Sequence, residues 1–171
     1  RGTLMGNRGR IHDENKQLGR KRWSTQAWIT CTLAFKGRRR ELMAPDSYTE
    51  LFFLDEATAL AAGHRPCGEC RREAFVRFKA LWVRANRPDG VDGHVPIAEI
   101  DRALHAERVN RRREQLTWVD DASALPDGVM VRLRGSGECW LLWSGQLWRW
   151  TVNGYDEVTD LPSGDVEVLT P

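Results

Sequence analysis

The sequence predicts an α+β protein, and three observations carry that prediction. Two β-rich stretches, QAWITCTLAF (26–35) and YTELFFL (48–54), come early. Three helical patterns follow, the first with clear start and stop signals. From residue 129 onward the chain turns into short tryptophan-bearing strands separated by Ser-Gly and Asn-Gly steps. At 171 residues it is long enough for one sizeable core, or for a core with a small appended module.

Residues 1–23 are rich in Gly and Arg and have no helical period, so they read as a loop. Within them GNRG (6–9) suits an anion, through backbone N–H and guanidinium groups. Residues 26–35 are a strand, and KG followed by RRRELMAP (36–45) reads as its hairpin return. YTELFFL is a further strand. DEATALAAG (55–63) is a short helix: Asp55 is the N-cap, Glu56 sits in the first turn and Gly63 is the stop. Pro66 fits a first helical turn, so a second helix is predicted from Cys67 to Asn86, with Phe75, Phe78, Leu81 and Trp82 on one face. RPDGVDGHVP (87–96) is a loop. Residues 97–114 form a third helix with Ile97, Ile100, Leu104 and Arg108 on one stripe. VMVRLRG, ECWLLW and QLWRWTV then make a C-terminal antiparallel β-meander, with a turn at NGY (153–155) and a last strand in DVEVLTP. The tryptophans here read as core in preference to base-stacking surfaces.

Charge divides the chain in the same place. The net charge of +2 combines 23 Lys/Arg against 15 Asp/Glu in residues 1–114 with 3 against 9 in residues 115–171. We therefore expect a basic domain, 1–115, that faces nucleic acid, and an acidic Trp-rich subdomain, 116–171. Candidate phosphate contacts are Arg8, Arg10, Arg22, Arg38, Arg39, Arg71 and Arg72. No apolar run approaches the roughly 20 residues of a membrane span, so no membrane partner is expected. Cysteine usage fits a reducing, cytoplasmic setting.

HRPCGEC (64–70) holds the sharpest chemical signal. At the start of a helix, Cys67 and Cys70 would lie one turn apart, where exposed N–H groups favour thiolates. A redox pair of the thioredoxin type would follow a strand directly, but here a helix comes first, so the pair reads as half of a zinc site. Cys31 is the candidate third ligand; the alternative is a buried strand thiol. His105, His12 and His64 are candidates for the fourth position, and His105 is preferred. Cys139 reads as packing.

Two further clusters carry possible chemistry. LHAER (104–108) offers His105 and Glu107, which with Cys67 and Cys70 make the residue set of a zinc deaminase, in reversed order. The alternative is an ordinary polar helix face. IHDE (11–14) offers His12 and Asp13 as a water-activating pair, or as a turn cap beside a solvated histidine.

FFLDEATALAAGHRPCGEC resembles the Ada-type zinc-binding module of bacterial DNA repair, through Phe52, Glu56, Ala57, Leu60, Ala61, Ala62, Gly63, Arg65, Pro66, Cys67 and Cys70. The likeness is strong over residues 48–72 and looser over 20–85. It implies an Ada-like core of strands plus two helices. It also implies a four-cysteine zinc site beside DNA, with one zinc-bound cysteine that accepts a methyl group from a phosphotriester. Here the upstream half supplies Cys31 alone, and His64 replaces the aromatic residue before Arg65. The whole chain is also similar to bacterial metal-binding proteins that open on GNRG-x-x-H-D, which implies no activity. The expected function is zinc-dependent binding of nucleic acid, DNA favoured, in repair or processing, with nuclease or alkyl-acceptor chemistry on His12, Asp13, Cys31 or Glu107. A non-catalytic zinc-stabilised binding module and a deaminase are the alternatives.

Overall fold

Leu4–Asn7, inside the segment expected to be a loop, is the first strand, β1. It is an inner strand of a four-stranded sheet. The computed structural model describes residues 2–38, 41–87 and 95–171. β2 (Ile29–Thr32), β3 (Glu50–Phe53) and β4 (Arg65–Pro66) complete the sheet in the order β3-β1-β2-β4. β1 runs antiparallel to β2 and β3, while β4 pairs in parallel with β2. Gly6 hides β1 in the sequence because it breaks the apolar run. It is a close-approach glycine: a Cβ there would meet the Phe53 ring at 2.3 Å and His64 Nε2 at 3.2 Å. Among the described residues of 36–45 no strand returns along β2. Both edges of β2 are taken, by β1 and β4, and residues 41–47 are turns.

Helix α1 (Glu56–Ala61) forms as its end signals predict. Asp55 Oδ1 accepts from Thr58 N at 2.9 Å, and Asp55 N donates to Thr58 Oγ1 at 3.0 Å, a reciprocal cap. Gly63 ends it with φ 76°, and Arg108 passes so close that a Cβ would meet its Cδ at 2.5 Å. Helix α2 (Arg72–Asn86) starts five residues later than predicted. Pro66 belongs to β4, and its missing N–H explains why it fits there. The parallel ladder uses Arg65 N to Trp28 O (3.0 Å) and Cys67 N to Thr30 O (2.8 Å), and skips the proline. On α2, Phe75, Phe78 and Trp82 are half-buried, while Leu81 is exposed. Helix α3 (Ile97–Arg108) stops short of residue 114. Asn110 Oδ1 accepts from the backbone N–H of Arg112 (2.8 Å) and Glu114 (3.1 Å), which turns the chain away from the helix.

The second sheet contains β5 (Trp118–Asp121), β6 (Met130–Arg132), β7 (Cys139–Trp143), β8 (Gln146–Thr151), β9 (Gly154–Asp160) and β10 (Asp165–Val168). Its order is β5-β10-β6-β7-β8-β9, antiparallel throughout. β6, β7 and β8 are the predicted meander strands and β10 is the predicted last strand; β9, which follows the predicted turn, and β5 are not among the predicted strands, and β10 returns to pair with β6 and β5. Alternation along the strands gives the sheet two apolar faces. Val131, Trp140, Leu142, Leu147, Val166 and Val168 form one core. Met130, Leu141, Trp148 and Trp150 face the other way, and Ala57 and Ala61 of α1 pack with them; Cys139 packs here too, as expected. α1 therefore lies between the sheets, touching β1, β3 and β6. Tyr155 OH donates to Asp55 Oδ2 at 2.7 Å across the same boundary.

Candidate metal centre

Backbone pairing brings the cysteines together. β2 and β4 run side by side with Ile29 opposite Arg65 and Thr30 opposite Pro66. One step further along each strand, Cys31 comes to lie beside Cys67. The chain then makes a tight turn, with Arg71 N donating to Cys67 O at 3.2 Å, and Cys70 swings back. The sulfurs of Cys31, Cys67 and Cys70 all lie within 4.8 Å of one another. The pair belongs to the turn before α2, not to the helix itself. Turn N–H groups serve the sulfur instead, with Glu69 N donating to Cys67 Sγ at 3.4 Å.

The electrostatics fit a soft cation. Burial, then the neighbouring Cys67 and Cys70, push the Cys31 thiol far above its usual range. Burial opposes the Cys67 thiolate as well. The backbone N–H groups of Cys70 and Glu69, with the thiols of Cys70 and Cys31, outweigh that burial, and the Cys67 thiol falls below its usual value. Three crowded sulfurs of this kind are the donor set of a thiophilic metal. Among the described residues no His, Asp or Glu ligand atom lies within 4.8 Å of all three.

The cluster forms part of the wall of an open groove of about 590 Å³. Register places Met5 between Phe52 and Cys31 in one row across the sheet. Leu33, Leu42 and Phe52, each more than half exposed, add an apolar lining. Arg38 and Glu69 are the charged groups of the wall, joined by hydrogen bonds of 2.6 and 3.2 Å.

Other predicted site residues lie elsewhere. His105 does not reach the sulfurs: its ring packs edge-on against Trp23 at 5.2 Å, and Nδ1 accepts from Arg108 at 3.2 Å. Burial and Arg108 lower its pKa. Glu107 is exposed, so the deaminase set is not assembled. His12 is buried with both ring nitrogens engaged: Nδ1 accepts from the Thr49 hydroxyl at 2.6 Å and Nε2 donates to Ala44 O at 3.3 Å. Asp13 accepts from Asn15 N and Gln17 N, each at 2.9 Å, and so acts as a turn cap. His64 is also buried. Its Nε2 accepts from Arg8 Nε at 3.2 Å, and burial, then Arg8 and Arg108, lower its pKa to about 2.

The predicted phosphate contacts divide in the same way. Arg71 is used within the fold, donating to Thr30 Oγ1 at 2.8 Å and pairing with Glu56. Arg8 donates to Ala62 O at 2.9 Å and lies over Trp28. Arg72 and Arg22 are exposed, Arg10 is half-buried, and Arg39 lies outside the described residues. Sequence reasoning missed the groove lining and the burial of Arg108; the second had a signal, an arginine on the apolar stripe of α3.

Fold and site together define an α+β protein with a three-cysteine cluster fit for a metal ion, and no helix among the described residues is long and apolar enough to cross a membrane. Compared with family models, curated proteins and solved structures, the chain matches none of them.

Proposed function

We propose that the chain is a zinc-binding protein of nucleic-acid repair, in which Cys31, Cys67 and Cys70 hold the metal and Cys31 accepts an alkyl group from a modified phosphate backbone. The single observation behind this reading is the three-sulfur cluster opening onto a groove, with no described fourth ligand atom beside it. Likeness to the Ada-type module supports the substrate class, and the basic first half, 1–115, supports a polyanion partner; the acidic half, 116–171, is the scaffold.

Zinc, when bound, supplies the charge that keeps the sulfurs deprotonated near neutral pH. Cys31 Sγ attacks the alkyl carbon of a neutral phosphotriester. An S–C bond forms, the C–O bond breaks, and the phosphodiester leaves as a monoanion. Cys31 ends as a thioether. Arg38 in the wall offsets the negative charge that develops on the departing phosphate once it exchanges Glu69 for it. Leu33, Leu42 and Phe52 offer the alkyl group an apolar contact in the groove beside the attacking sulfur.

Metal analysis with mass spectrometry tests this. One zinc per chain is expected, lost in Cys67→Ser. Incubation with methylphosphotriester DNA should add one methyl group to Cys31, and none in Cys31→Ser. Zinc-loaded protein that leaves such DNA unchanged would sink the alkyl-acceptor reading. A purely structural metal is the second reading. It is favoured by Cys31 lying on β2 and Cys67 directly after β4, where a cation would staple the two strands together. It predicts salt-dependent DNA binding without transfer.

A further inference from the structure

Away from the cysteines, a second pocket of about 180 Å³ lies between the start of the chain and the end of α3. Arg8, Arg22, Arg108 and Arg113 line it together with Trp23 and Trp28. No Asp or Glu is among its lining residues. Among the described residues none of the four arginines pairs with a carboxylate. The nearby acid, Asp101, is committed to Arg65 by two hydrogen bonds of 2.6 and 2.8 Å.

Two of these cations are built into the fold. Arg108 is 2% exposed; it donates to Gly63 O at 2.5 Å and to Gln26 O, and its Nε has no partner. Arg8 donates to Ala62 O and to His64. Both guanidinium groups lie 3.9 Å from the Trp28 ring centre. Carbonyl groups and an indole face satisfy donors but bring no negative charge. Burial, then Arg22, lowers the Arg8 pKa to about 10; burial, then Arg8, lowers that of Arg108 to about 9. Asp101 raises the Arg108 pKa in part, but its carboxylate is bonded to Arg65 and does not offset burial and Arg8. Neighbouring positive charges held out of water with so little counter-charge are costly, and one bound anion relieves the cost for all of them. Arg22 and Arg113 are exposed and extend the lining to the surface.

We propose that this pocket is a phosphate site, in which the wall formed by Arg8, Arg22, Arg108 and Arg113 takes one tetrahedral dianion. Guanidinium forks match the oxygens of a phosphoryl group better than those of a compact monoanion. The volume lies below the roughly 300 Å³ at which ordinary small-molecule pockets begin, so the site takes the phosphoryl group and leaves what it is attached to outside. The shared chemistry covers two sources, free inorganic phosphate and the terminal phosphate of a nucleic-acid strand. The site is independent of the metal centre and stands if that reading fails.

The test uses the intact protein at constant ionic strength, titrated with inorganic phosphate and followed by tryptophan fluorescence, with Trp23 as the reporter in the pocket wall. A saturable response is expected. Arg22→Ala combined with Arg113→Ala should weaken it at least tenfold, and both positions are exposed, so the variant keeps its fold. Exposed Arg111→Ala is the control and should bind as the parent does. No saturable response, an equal response to acetate, or an unchanged response in the double variant overturns the proposal. A 5′-phosphorylated oligonucleotide that competes better than its 5′-hydroxyl counterpart assigns the group to a strand end. Competition by neither assigns it to free phosphate, and equal competition by both, which the shared backbone phosphates would cause, overturns the terminal-group reading.

Discussion

The two halves of the molecule have opposite interiors. Among the described residues, every buried polar or charged side chain belongs to the first half: His12, Thr30, Thr49, Glu50, His64, Arg65, Asp101 and Arg108. The second half buries Val131, Trp140, Leu142, Leu147, Val166 and Val168, and no charge. Apolar burial stabilises that sheet at about 25 cal/mol per Å² and asks little of geometry. The first half depends on donors meeting acceptors, and it tolerates the desolvation cost because its buried groups position the cysteine turn and the basic pocket. The half with the cysteine cluster is thus the half with the more exacting interior.

Breaking each interior in turn sharpens that contrast. Asp101→Ala leaves Arg65 buried and unpaired, and should cost about 3–5 kcal/mol in urea unfolding. Leu147→Ala opens a cavity in the apolar sheet, and should cost about 3 kcal/mol. If the leucine change were clearly the more damaging, the first half would be less dependent on its ion pair than its burial implies. Acid pH separates the halves without truncating a side chain. His64 stays neutral in the fold down to about pH 2, whereas the unfolded chain protonates it near pH 6.5. Between those values the unfolded state binds the extra proton, so stability falls as pH drops below 6.5, by up to about 1.4 kcal/mol per unit. His64→Gln keeps an acceptor for Arg8 and should flatten that limb in a pH series of unfolding midpoints. The smallest effect belongs to the junction. Tyr155→Phe removes the hydrogen bond to Asp55 that joins the halves, and should cost about 1 kcal/mol by the same unfolding assay.

The same contrast explains what was legible in the sequence. The second half declared itself through alternation and turn residues, because an apolar sheet has a period. α1 declared itself through Asp55 and Gly63. Cys31, Cys67 and Cys70 were recognisable as ligand types, but what joins them is a two-residue parallel strand at Arg65–Pro66, too short to leave a pattern. A proline there points by habit to a helix start, and the local rule was overridden by a pairing that had no use for its N–H. Arg8 and Arg71 read as surface charges because arginine usually is one. Only the tertiary fold reveals that carbonyls and Trp28 enclose Arg8, and that Thr30 and Glu56 hold Arg71. His12 and Asp13 made a plausible reactive pair on paper, but adjacency along the chain says nothing about which atoms each side chain will meet.

The position of β1 bears on how this protein is made and handled. It precedes both of its partners along the chain, yet it lies between them. During synthesis it emerges before both, and after β2 has arrived one of its edges stays open until β3 follows, some forty residues after β1. Trimming an arginine- and glycine-rich leader is a routine step in preparing a protein for expression. Here a cut after Asn7 would pull the middle out of the sheet and leave β2 and β3 each with a bare inner edge, ready to zip onto a neighbouring chain. Insoluble material from such a trimmed version would point to the missing strand, with no need to invoke the metal.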